Sequence, residues 1–379
     1  MDSSAPGPGE NLPRTLIWED RLLIALLAIT VVGVVLQITL GGVVRVTGSG
    51  DGCPDWPQCF GRWYPPFEYH ALLEYSHRTA GALLGLAIVA ATVRVWVKHR
   101  DRVAVAWLTT SSLALVFIVG MLGGAVVLND LDPAIRTVHL MLAEAVALLA
   151  ILALVASTFA RPGMPEGGPG GARGGVQLHA RDKDSPWIWG RVSDEHRAAL
   201  NLAAVAAVLT LVALLSGSYA VWREAGAVCA SWPLCGGRVV PESTLAWIHV
   251  AHRVLSLVSI VAVLIAGHRA WRLNDTSRAL RIAALGAAVL IVAQMLMGAA
   301  NPWTVFAEWA RAGHLAMATL VWVDMVFIVA LILRPVPARD LAAAGYGNPG
   351  LTGLTTAGAD PTGSSPTGPS PAGGNSQPE

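Results

Sequence analysis

The sequence predicts an all-α integral membrane protein of eight transmembrane helices, arranged as two pseudo-symmetric four-helix bundles in parallel repeat, with both termini cytoplasmic. Three observations carry this. Eight apolar runs are each long enough to cross a bilayer, a pattern of cysteines, histidines and glycines in the first half recurs in the second, and basic residues crowd one side. Hydrophobic residues make up 54% and charged residues 13% of the chain, whereas a soluble protein carries roughly a quarter charged residues. The net charge of +1 says nothing about nucleic acid, and with no basic run to suggest it none is expected as a partner.

A hydrocarbon core needs about 20 helical residues, whereas a barrel strand needs about ten, alternating in polarity. Leu22–Val44 comes first; it is too long for a signal-peptide core and follows acidic residues, so it reads as a retained helix. Ala71–Val97 is the second run, opening on "EYSHR". Val105–Leu128 holds "MLGGA", and Ile135–Phe159 holds "RTVH". Ala199–Trp222 opens the second group. Leu245–Ala266 then carries "HVAHR", Ala279–Ala300 "MLMGA", and Trp309–Leu333 "RAGH". Length makes all eight helices.

With the N-terminus inside, 18 of the 26 Lys and Arg fall in the inner segments and 8 in the outer ones, which sets the orientation. The predicted organisation is a cytoplasmic N-terminus (1–21), an N-terminal bundle (22–160), a cytoplasmic linker (161–198), a C-terminal bundle (199–333) and a disordered cytoplasmic tail (334–379). The linker is Gly/Pro-rich and then reads "SPWIWGRV", whose tryptophans suit an interfacial position; the tail is Gly, Pro, Ser and Thr with little apolar content. The chain is expected in the bacterial inner (plasma) membrane as a multi-pass protein.

The two groups of four spans are copies. "CPDWPQC" at 53–59 recurs as "CASWPLC" at 229–235, and the two frames hold all four cysteines. His77 follows Cys59 at an interval only one position longer than that between Cys235 and His252. The interval from His77 to His139 equals that from His252 to His314, and Gly123 precedes His139 by as much as Gly298 precedes His314. Two units with an even number of spans share one orientation, hence a parallel repeat. Both cysteine pairs fall on the outer side, where disulfides persist. One local disulfide per unit, Cys53–Cys59 and Cys229–Cys235, is the first reading. A thiol pair that cycles between redox states and a shared zinc site are the alternatives, the last lacking a Cys-x2-Cys knuckle.

Ten histidines divide by position. His99, His179, His196 and His268 fall in cytoplasmic segments and read as solvated, and His70 falls in the outer loop. His77, His139, His249, His252 and His314 lie near the outer ends of the even-numbered spans. One intramembrane histidine is commonly a hydrogen bond between helices, but two pairs at equal separation and matched depth suit the mounting of a planar iron macrocycle in each bundle. Gly123–Gly124 and Gly298–Ala299 offer close backbone approach to such a ring, or ordinary helix packing. Arg78 and Arg253, directly after the paired histidines, are candidate partners for haem propionates, or cations that snorkel to lipid headgroups.

"GGVVRVTGSGDGCPDWPQCFGRWYPP" followed by "EYSHRTAGALLGL" resembles the heme A synthase family, enzymes of cytochrome oxidase assembly. The similarity extends through "RTVHLMLA", "WIHVAHRVLS" and "RAGHLAMATL", about residues 20–333. The resemblance implies an oxidoreductase that oxidises a ring methyl of haem O to a formyl group by successive hydroxylations, giving haem A. It implies His77 and His139 as ligands of the substrate haem, His252 and His314 as iron ligands of a bound haem b, and Glu74 as the catalytic carboxylate. It also matches Cys53 and Cys59 to the family's first-loop pair. The repeat gives Glu74 separate weight: laid on the second copy it falls on His249, so one half reads "ExxHR" and the other "HxxHR". Residues three apart share a helix face, which puts Glu74 one turn outward of His77. Glu144 falls on Thr319 in the same superposition and reads as a hydrogen bond between helices rather than a catalyst.

The implied partners are haem O, the heme O synthase that makes it, and the lipid bilayer, with a homo-oligomer left open. The alternative function is a di-haem b-type membrane electron-transfer protein, which would need equivalent pockets and gives Glu74 no task. A transporter ranks last, since the spans offer it only scattered polar residues such as Gln37, Gln294 and Asp324.

Overall fold

Every apolar run is one helix in the computed structural model, which describes residues 20–158, 194–237, 240–273 and 277–333. The helices are α1 (Arg21–Val46), α2 (Tyr69–Lys98), α3 (Val103–Leu128), α4 (Pro133–Ser157), α5 (Asp194–Trp222), α6 (Thr244–Arg272), α7 (Arg278–Trp303) and α8 (Glu308–Ile332). All eight are long and apolar enough to cross a membrane, and no named strand occurs among the described residues. The interfacial reading of "SPWIWGRV", the disorder expected of the tail, and His179 lie outside the described residues.

Helix ends extend past the apolar runs where polar residues satisfy the backbone. α5 starts at Asp194, and Asp194 and Glu195 suit the positive end of the helix. α6 runs on to Arg272, and Arg269 and Arg272 oppose the negative end. Asp132 caps α4 by accepting from the Ala134 and Ile135 N–H groups, with Pro133 at the first helical position. Ser243 and Ser277 cap α6 and α7.

α1 packs against α2, α4 and α8, and α5 packs against α6, α8 and α4; α3 lies on α2 and α4, and α7 on α6 and α8. α1, α4, α5 and α8 therefore join the two groups. One core cluster is built within the second group around Val263, Ile291, Met325 and Ile328. Another gathers Val34, Ile88 and Ile151 of the first group with Trp322 and Val326 of α8. Large apolar side chains also cover the outside, Leu36, Trp107, Leu257 and Ile282 among them. Helices apolar on every side suit a lipid solvent.

At one end of the bundle Asp20 caps α1 by accepting from Leu23 N–H at 3.0 Å. Its carboxylate also pairs with Arg94 of α2 and with His99 Nε2 at 2.9 Å. His99 is thus buried in an ion cluster rather than solvated. Its partner stands 79 residues away in the chain, a tertiary effect with no local sequence mark.

Candidate functional site

The end of the bundle opposite Asp20 carries both cysteine frames. Cys53–Cys59 and Cys229–Cys235 are disulfides, with Cα atoms 4.7 and 4.6 Å apart. No thiol is left for zinc. Both frames contain a cis Trp-Pro bond, Trp56–Pro57 and Trp232–Pro233. A side chain inside each ring locks the turn. Asp55 accepts from Phe60 and Gly61 N–H at 2.6 and 2.7 Å. Ser231 holds the equivalent place in the second frame, and its Oγ accepts from Gly236 N–H at 2.8 Å. The Gly61 N–H, chiefly, with that of Phe60, holds the Asp55 carboxyl below its ordinary range.

The arginines after the paired histidines serve these loops. Arg78 Nη1 donates to the Asp55 and Gln58 carbonyls at 2.7 and 2.6 Å; Nη2 donates to the Cys53 carbonyl at 3.0 Å and to Glu74 Oε1. Its four terminal N–H groups are all engaged. Arg253 does the same more sparsely, donating to the Pro233 carbonyl at 2.8 Å and the Cys229 carbonyl at 3.3 Å. Both guanidiniums hold loops, and in Arg78 only Nε–H is left for a propionate.

Glu74 is 3% exposed and stands one turn outward of His77 on α2. Its Oε2 accepts from Cys53 N–H at 2.8 Å while Oε1 pairs with Arg78. His249, its counterpart, instead lies 2.9 Å from the Ala225 carbonyl through Nδ1. One half therefore presents a buried carboxylate under its disulfide loop, and the other an imidazole.

The four paired histidines share one kind of seat. Each rests against a glycine of the preceding helix, so tightly that a Cβ there would touch the ring. It would stand 2.9 Å from His77 Cε1 at Gly41, 3.2 Å from His139 Cε1 at Gly123, 3.0 Å from His252 Cε1 at Gly217 and 3.1 Å from His314 Cε1 at Gly298. Gly124 is filled by the Trp56 indole, 2.7 Å from the position of such a Cβ. The expected flat gap at 123–124 is therefore occupied by His139 and Trp56. Gly41 and Gly217 were missed in the sequence, although their offset is that of the paired cysteines, Cys53 to Cys229.

His252 and His314 face each other with ring centroids 6.4 Å apart and planes at 86°. His252 Nδ1 lies 2.8 Å from Ser216 Oγ, which orients the ring and leaves Nε2 for a ligand. Gln37 Nε2 donates to the His77 carbonyl at 2.9 Å and lies 3.5 Å from its Nε2. Nδ1 of His77 is buried without a hydrogen-bond partner, while His139 and His314 have the Val119 and Gln294 backbone within reach. A metal held between two imidazoles, with bonds of about 2 Å, sets ring centres about 6 Å apart. The His252–His314 pair meets that spacing. Among the described residues no three His, Cys, Asp or Glu converge on one metal position. His252 and His314 would be the residues to hold a metal that brings its other donors in a macrocycle.

A sequence model of the family described as cytochrome oxidase assembly protein matches residues 24–326. The heme A synthase of Symbiobacterium thermophilum is 28% identical over 314 residues, spanning 82% of this chain and 94% of that protein. The heme A synthase of Alkalihalophilus pseudofirmus is 26% identical over 314 residues, spanning 81% and 96%. A protoheme IX farnesyltransferase of Chloroflexus aurantiacus is 34% identical over 150 residues, which are 39% of this chain and 26% of that protein.

Proposed function

The chain belongs to the cytochrome oxidase assembly protein family (COX15-CtaA), and from that premise we propose how its two halves share the work of a heme A synthase. It is an oxidoreductase of the plasma membrane that acts on haem O, converting it to haem A for cytochrome oxidase. In the reading proposed here the first four helices hold the substrate and the last four a resident haem b. The 6.4 Å separation of His252 and His314 is the observation that carries the second assignment; Ser216 would orient His252 to hold the haem. A haem there supplies one-electron chemistry.

The difference between Glu74 and His249 supports placing the reaction in the first half. Glu74 is buried one turn outward of His77, in a spot where an unneeded carboxylate is costly. It would take up a proton at Oε1 or Oε2 as the substrate methyl is oxidised, with Arg78 and Cys53 N–H aiming the carboxylate. The disulfide loop thereby positions the acid, and its buried sulfurs suit a structural clip better than an exposed redox pair. A di-haem electron carrier would give the Glu74–Arg78 pair no task.

The parallel repeat, with both termini cytoplasmic, belongs to the same proposal. The packing of α1 on α2 and α4 is matched by that of α5 on α6 and α8. Thr319 Oγ1 donates to Glu144 Oε1 at 2.7 Å across α4 and α8, and these two positions correspond in the repeat, as two-fold-related residues near an axis would. Direct transfer of haem O from its synthase is also proposed, since a protoheme farnesyltransferase carries a stretch similar to this chain within one polypeptide; co-purification of the two proteins tests it.

The deciding experiment expresses the chain with and without a heme O synthase and extracts the haems. The formyl haem should form only with both proteins, and Glu74→Ala should abolish it while the resident haem spectrum stays. His252→Ala or His314→Ala should remove that spectrum. Normal haem A output from Glu74→Ala would falsify the catalytic assignment.

A further inference from the structure

Arg45, Arg136 and Arg311 stand at the loop-bearing ends of α1, α4 and α8, where the two halves join. Arg45 is in the last turn of α1, Arg136 in the first turn of α4 and Arg311 in the first turn of α8. α1 packs on both α4 and α8. Arg311 Nη2 donates to the Val46 carbonyl at 2.7 Å, which draws it toward α1. The charges of Arg136 and Arg311 both bear on Arg45.

Arg45 and Arg136 are half-buried, and among the described residues neither makes a hydrogen bond or an ion pair. Asp132 offsets part of the Arg136 charge while also capping α4, but among the described residues no carboxylate pairs with Arg45, and one acid does not balance three guanidiniums. Like charges crowded out of water without a counter-ion are unfavourable, and buried charges are ordinarily paired. An anion is missing from this cluster.

Its position selects the anion. Arg45 lies one helical turn beyond Gly41, the seat of His77, and Arg136 lies one turn ahead of His139. Both stand one turn outward of the His77–His139 pair, on the faces that carry it. In the other half Arg311 precedes His314 by the same step, but the counterpart of Arg45 is Val221, and Arg311 leans across to α1. The cluster thus belongs to the first pocket. Arg78, the other nearby cation, is committed to its loop and Glu74.

We propose that Arg45, Arg136 and Arg311 form the carboxylate site that receives the two propionates of the substrate macrocycle, fixing which edge faces outward and so which ring methyl approaches Glu74. This rests on the reading of the His77–His139 pocket given above. Guanidinium offers paired donors to carboxylate; Arg45 and Arg136, which have no partner among the described residues, match the two acids of a haem, with Arg311 held beside them by the Val46 carbonyl.

The test compares iron protoporphyrin IX with its dimethyl ester, each titrated into the purified full-length protein in detergent with its resident haem in place. Retained pigment and the Soret change are the readouts. The diacid should bind about 10- to 100-fold more tightly than the ester. Arg45→Gln and Arg136→Gln should each shrink that ratio by weakening the diacid alone, leaving the resident haem spectrum unchanged. Arg45→Lys and Arg136→Lys, which keep the charge should the Gln variants fail to accumulate, should give intermediate ratios. Equal binding of diacid and ester by the wild type, or a ratio undiminished in the variants, overturns the carboxylate site while the pocket reading stands. A wild type that takes up neither compound removes both. An undiminished ratio with less anionic phospholipid co-purifying would reassign the arginines to lipid phosphate and reject the proposal.

Discussion

One methyl group is enough to probe the histidine seats. Gly217→Ala puts a carbon 3.0 Å from His252 Cε1 and Gly298→Ala one 3.1 Å from His314 Cε1, and overpacking of this kind costs about 1–3 kcal/mol. Both variants should lower the haem retained on purification and alter its optical spectrum, with Gly217→Val the most severe. Gly85→Ala, whose new methyl meets nothing within 4 Å, is the control and should match the wild type. An unaltered spectrum in Gly217→Val would show that the seat does not set the ring position. The four histidines stood out in sequence by their equal spacing in two copies, and the structure seats all four alike against a glycine. The roles of Arg78 and Arg253 were not legible. Their position beside a histidine suggested propionates, whereas their partners are carbonyls far upstream in the chain, brought near only when the disulfide loop folds down. Gly41 and Gly217 carried a signal at the same offset as the cysteines, but single glycines in apolar runs are too common to read alone.

Among the elements, the joint between α1 and α2 is the clearest case of polar groups fixing helices in place. Burial by itself would raise the Asp20 carboxyl, but hydrogen bonds from Arg94 and His99 outweigh it, and Leu23 N–H adds to them, holding the group far below the usual carboxylate range. A carboxylate depressed on folding stabilises fully above its unfolded value of about 3.9. That contribution is lost as the pH falls through the folded value. Asp20→Ala should therefore cost about 3 kcal/mol near neutral pH, since it strands Arg94 and uncaps α1. Thermal denaturation in detergent should show the gap to wild type narrowing below about pH 4. A gap constant with pH would assign the loss to capping alone. Helix extents were legible to within a few residues because hydropathy sets them. The burial of His99 was not, because its partner Asp20 lies at the start of α1, a whole helix pair away in the chain.

Across the whole molecule, all four native cysteines are bonded, so an introduced thiol is a clean reporter of sidedness. In intact cells, Asn129→Cys, in the turn after α3, should react with a membrane-impermeant maleimide, and Arg100→Cys, in the turn after α2, should not. The opposite labelling would invert the proposed orientation. The eight-helix plan was legible because bilayer thickness sets span length; that Glu144 bonds between helices was expected, but that its partner is its own counterpart Thr319 was not. How α1 and α8 meet was not, since no periodicity encodes contacts between halves. The Glu144–Thr319 pair also says something about descent. In the proposed two-fold arrangement this position meets its own counterpart, as in a symmetric dimer. Two identical subunits with glutamate there would set acid against acid in a dry interior, whereas a single gene holding both copies is free to keep the acid in one and place a hydroxyl opposite it. Fusion of the halves thus permits a difference at the seam that no homodimeric ancestor could have tolerated.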